Sequence, residues 1–227
     1  MPTKLGQQMN TLIRGQQPQP TTGQQKADQI RALYKQGLQQ LRGQRNMHPE
    51  ARRVEVARLY ATTQAALRKV QQEQMQADRE TFDKLERQLW GYDDVRASAI
   101  GSADRAAVDG TVRDAQDRAG RLKKPGDAAR ALAEAEQAGD KVLARAIAKR
   151  AHDMDWDDVL GAYLSTRPTT AERYQQAGEI YARQHTTGGA LAHGFLGSLG
   201  KPEELRGMSG KDIEAMADPG DTGPTAA

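Results

Sequence analysis

Residues 49–91 read PEARRVEVARLYATTQAALRKVQQEQMQADRETFDKLERQLWG, a run that opens on proline and then holds neither proline nor glycine until Gly91. Proline suits the first position of a helix, because its missing N–H has no intrahelical partner there and its φ is already helical. The run therefore predicts one helix of roughly 40 residues, about 60 Å long at 1.5 Å per residue. Its apolar positions (Val56, Leu59, Tyr60, Thr63, Leu67, Val70, Ala77, Phe82, Leu85 and Leu89) make a narrow stripe interrupted by Gln71, Gln74 and Asp78. A narrow stripe between charged flanks fits a coiled coil or a long hairpin better than the core helix of a globule. Either the preceding helix or a second copy of the chain can cover it. A second copy makes Leu59, Leu67, Val70, Leu85 and Leu89 the self-association residues.

Upstream, residues 1–25 are rich in Gln, Gly, Pro and Thr and read as a flexible arm with at most a turn of helix over residues 9–13. From Ala27 the spacing Ile30, Leu33, Tyr34, Leu38, Leu41 lays one apolar helix stripe, closed by Gly43 and the His48-Pro49 pair. Downstream, Trp90-Gly91-Tyr92 breaks the long helix, and Asp93 or Asp94 can cap the next. An alanine-lined helix follows to about Leu122, with a break expected at Gly110. The LysLysProGly stretch at 123–126 is a linker. Four short helices then fill residues 127–185, lined by Leu132, Leu143, Ile147, Trp156, Val159, Leu160 and Tyr163. Asp140 caps the second, and the third stops at Pro168. Thr169 to Glu172 has capping-box spacing for the fourth. Six glycines from Gly188 to Gly207 argue against a helix there, Ser209 with Asp212 opens one more, and the end reads as a disordered tail. The fold class is all-α: an extended helical region at 26–122, a small bundle with a Gly-rich segment at 127–217, and a tail at 218–227.

Composition agrees with modest cores. The 227 residues are 37% hydrophobic and only 4% aromatic, so burial at about 25 cal/mol per Å² cannot offset the ordering of every residue at about 1–2 kcal/mol each. No cysteine is present, which removes disulfides, thiolate metal sites and cysteine nucleophiles. No apolar run is long enough to cross a membrane, and the start lacks the apolar core of a secretory signal. The net charge of +3 is uneven: residues 1–48 carry +6, residues 49–125 +2 and residues 126–227 −5. A basic head and an acidic tail can hold a polyanion or pair copies head to tail.

No constellation in the sequence is catalytic, and none calls for a cofactor or a metal. His48, His152, His185 and His193 form no metal-ligand spacing; His152 stands beside Asp153, Asp155, Asp157 and Asp158, a pattern expected of a capped turn. Residues 207–212 lack both the Ser or Thr and the preceding strand of a phosphate loop, and Ser198 lacks the glycine spacing of a nucleophile elbow. Lys26, Arg31, Lys35, Arg42, Arg45, Arg52 and Arg53 are the candidates for sequence-independent DNA binding through counterion release.

The layout of a Gln-rich start, a long charged helix, a linker and a small helical C-terminal part resembles scaffold-type or minor structural proteins of tailed phages, especially those of actinobacterial hosts. Residues 131–168 (ALAEAEQAGDKVLARAIAKRAHDMDWDDVLGAYLSTRP) resemble such phage or prophage sequences. The resemblance implies a non-enzymatic helical protein that self-associates and binds a capsid, portal or other virion protein through its C-terminal helices. It would act in the host bacterial cytoplasm during assembly, or in the virion. Trp156, Leu160, Phe195, Leu196 and Leu199 are then the candidate docking residues, with DNA as the alternative partner.

Overall fold

The computed structural model describes residues 21–218, and every regular element among them is helical. The arm before residue 21 and the tail after residue 218 lie outside the described residues. The order is α1 (Thr22–Gly43), α2 (Pro49–Trp90), α3 (Asp93–Ala97), α4 (Ser102–Arg121), α5 (Pro125–Gln137), α6 (Lys141–Asp153), α7 (Asp157–Ser165), α8 (Pro168–His185), α9 (Thr187–Leu196), a 3₁₀ turn (Glu203–Leu205) and α10 (Gly210–Ala217).

Local side-chain chemistry sets most boundaries. Thr21 Oγ1 accepts from Gln24 N–H at 3.2 Å while Gln24 Oε1 accepts from Thr21 N–H at 2.7 Å, a capping box that starts α1 inside the expected arm. Asp140 caps α6 by accepting from Leu143 N–H at 2.9 Å, and Ser209 and Asp212 cap α10 reciprocally, both as expected. The helix α5 ends through Gly139 at φ 70°, with Asp140 N–H returning to Ala135 O at 2.9 Å. A left-handed residue there lets the next N–H reach back five positions. The end of α6 repeats this closure with Asp155 at φ 55° and Trp156 N–H on Ala151 O at 2.8 Å.

Three local expectations change. Pro168 begins α8 instead of only ending what precedes it, so Thr169 lies within the helix and does not cap it. The break expected at Gly110 falls at residues 98–101, because the Gly101 N–H is taken by the Asp104 carboxylate that opens α4. Residues 187–196 are helical despite three glycines. Each glycine costs about 1 kcal/mol against alanine, and here the Thr186 cap on Gly189 N–H and the burial of Leu196 offset it.

The compact units interleave in sequence, one spanning Arg79–Gln184 and the other combining residues 21–78 with 185–218, whereas the sequence reading divides the chain at the 123–126 linker. The first unit is built around α6, whose Leu143, Ala144, Ala146, Ile147, Ala148 and Ala151 are all buried. Alanines let α4, α5 and α7 approach it closely, while Leu85, Leu89 and Trp90 of α2 and Ala177 and Ile180 of α8 complete the core. In the second unit, Tyr34 of α1 and Val56, Ala57 and Tyr60 of α2 enclose Leu205 and Ile213 from the C-terminal segment. A neighbouring cluster joins Ala27, Leu67, Val70 and Leu196.

Candidate interaction surfaces

The stripe that opens the sequence argument is covered from within the chain. Leu67 is 0% exposed against Ala27 and Leu196, Val70 lies beside it, and Leu59 packs on the Tyr34–Leu205 cluster. Leu85 and Leu89 are buried in the helical core of the first unit. Covalently attached helices meet a stripe at high effective concentration, so α1, α9 and the bundle take the place expected of a second copy.

Most of the basic residues considered for DNA are intrachain clamps. Arg31 donates to the carbonyls of Phe195, Leu196 (3.0 Å) and Ser198 at the C-terminal end of α9, where the carbonyls lack the N–H four residues on that a continuing helix would supply. Arg42 grips Glu204 with two bonds of 2.7 and 3.0 Å, which hold that carboxyl below the ordinary glutamate range. Arg53 donates to Glu204 O at 3.0 Å, and Arg58 of α2 donates to Ala217 O at 3.0 Å. Arg52 closes on Gln44 O and Met47 O, and Lys26 pairs with Glu73 at 3.9 Å. Lys35 and Arg45 are exposed.

With its inner side seated, α9 turns an apolar face outward. Leu196 is buried, Gln71 Nε2 donates to His193 O at 2.8 Å, and Gly197 lies so close to Gln71 that a Cβ there would overlap the side chain. On the other side Gly188, Leu191, Ala192 and Phe195 follow the i, i+3, i+4, i+7 spacing and are all exposed, Leu191 at 59% and Phe195 at 69%. Of the five docking candidates only Phe195 is open: Leu160 and Leu196 are core residues, and Leu199 is half-buried. Trp156 belongs to the other unit, half-buried on the bundle with the Arg150 guanidinium 5.9 Å from its ring. Glycine content hid the α9 face, because its apolar spacing only shows once the segment is known to be helical.

The first unit also holds a cleft of about 350 Å³ between α2, α6 and α8. Phe82 and Tyr181 line it with ring centres 6.4 Å apart, and Leu89 and Ala177 supply buried apolar surface. His152 stacks on Trp90 at 5.4 Å and lies 3.2 Å from the Tyr174 hydroxyl. Burial lowers the His152 pKa, assisted by Lys149, and pushes Tyr174 up to about 12, so both rings are uncharged at neutral pH. Glu86, Asp153 and Asp155 also line it, with Asp153 paired to Lys149 at 2.5 Å. The sequence had marked His152 and the aspartates as a capped turn; Glu86 and the rings are brought to them by packing. Among the described residues no group of three acidic or imidazole side chains is placed to hold a metal, and no helix is long and apolar enough to cross a membrane. Compared with protein-family models, with curated proteins and with solved structures, the chain matches none.

Proposed function

We propose that the chain is a non-enzymatic helical assembly protein that self-associates through the outward face of α9, acting as a scaffold-like or minor virion component of a phage and docking there on a capsid or portal protein. The observation that carries this reading is the exposed series Gly188, Leu191, Ala192, Phe195 on a helix fixed from behind by Arg31 and Gln71. Two large side chains alternate with two small ones, so the face offers both ridge and hollow and complements itself about a twofold axis. Covering the exposed fractions of Leu191 (59%) and Phe195 (69%) in both copies contributes about 4–8 kcal/mol at 1.5–3 kcal/mol per fully buried side chain. Association itself costs about 4–15 kcal/mol, so pairing is weak and rises with concentration. Such pairing suits a protein whose contacts must form only where copies gather.

Light scattering over a concentration series tests the reading. The wild-type mass should rise toward a dimer, and Leu191→Asp with Phe195→Asp should hold the monomer mass at every concentration. A monomeric wild type, or an unchanged series for the double variant, refutes it. The DNA reading is weakened because Arg31, Arg42, Arg52, Arg53 and Lys26 all have partners within the chain.

A further inference from the structure

We propose that the acidic, aromatic cleft of the first unit is the binding site for the chain's own N-terminal segment, residues 4–14. The cleft presents the rings of Phe82, Tyr181 and Tyr174 beside the carboxylates Glu86 and Asp155, with Asp153 already held by Lys149. Its occupant should carry apolar side chains flanked by positive charge, since buried rings favour apolar groups and the faces of aromatic rings attract cations. Residues 4–14 read KLGQQMNTLIR. Leu5, Met9, Leu12 and Ile13 stand at i, i+4, i+7 and i+8, the spacing of a helix laid in a groove, with Lys4 and Arg14 at the ends. Residues 1–20 contain no Asp or Glu, so nothing in them opposes the carboxylates. The cleft volume, about 350 Å³, takes a few side chains of one short helix and is too small for the face of a globular partner. The site is separate from the α9 face, and its fate does not depend on the self-association reading.

Because the chain has no cysteine, introduced pairs report the contact in the full-length protein. Gln8→Cys with Glu86→Cys should form a disulfide under mild oxidation at least about tenfold faster than Gln8→Cys with Arg130→Cys, Arg130 being an exposed α5 residue outside the cleft. Adding Met9→Asp with Ile13→Asp should bring the first pair down to the rate of the second, while circular dichroism stays that of the wild type. A cross-link found within one chain or between two chains supports the assignment, since the same segment fills the same cleft. Equal rates for the two cysteine pairs, or a rate untouched by the aspartates, overturns it.

Discussion

At the residue scale, His152 shows how packing decides what a side chain is for. Its ring lies between Trp90 and Tyr174, and burial favours the neutral form. Lys149 acts in the same direction, while Asp153, Glu86 and Asp155 oppose it. The unfolded chain takes up the proton near pH 6.5, and the folded chain resists until lower pH. The stabilising contribution is therefore full above about pH 6.5 and is lost as pH falls through the lowered folded value. Melting temperature should drop between about pH 7.5 and about pH 5.5, and His152→Phe should flatten that drop while keeping the ring stack. Carboxylates held low by partners, such as Glu204 and Asp94, lose their contribution only at more acidic pH, outside this window. Equal slopes for wild type and variant would refute the assignment. The sequence showed His152 beside acids, but no local rule announces a neutral imidazole between two rings.

At the element scale, glycines of opposite consequence separate backbone constraint from propensity. Gly91 ends α2, and a Cβ there would sit 2.3 Å from Arg87 O, a main-chain atom that cannot rotate away. Gly91→Ala should destabilise by about 1–3 kcal/mol, the usual range for overpacking. Gly110 lies within α4 with nothing within 4 Å of a built Cβ. Gly110→Ala should stabilise by about 0.5–1 kcal/mol through helix propensity alone. Urea midpoints measured for both variants check the pair, and two shifts of the same sign would contradict it. The starts of α6 and α10 were legible because caps act within three or four residues, whereas the Thr21 cap of α1 lies inside the stretch read as an arm. The helicity of residues 187–196 was not, since local propensity favours a loop and only the seat on α1 and α2 reverses it.

At the scale of the whole molecule, two cores hold residues far apart in sequence. Ile147 is fully buried at the centre of the first. Ile147→Ala should cost about 2–5 kcal/mol by lost transfer energy and a residual cavity. Hydrogen exchange should then quicken across Arg79–Gln184 more than across residues 21–78 and 185–218, because local opening follows compact units. Leu205→Ala should show the reverse pattern, its side chain being fully buried in the second core. Uniform acceleration in both variants would mean that the units do not open separately.

The sequence by itself determined that this chain is helical, where its long uninterrupted helix runs, and how Asp140 and Ser209 start later helices. Those properties depend on proline, on capping side chains and on apolar periodicity, all of which act over a few residues. Only the tertiary structure decided what covers the stripe of α2, that residues 185–218 return to residues 21–78, and that Arg31 and Arg42 clamp the returning segment instead of facing solvent. Arg42 and Glu204 are 162 positions apart. Charge and spacing along the chain carry no record of which of many acids such an arginine will meet, because the pairing is set by the collapse of apolar surfaces that brings the two together.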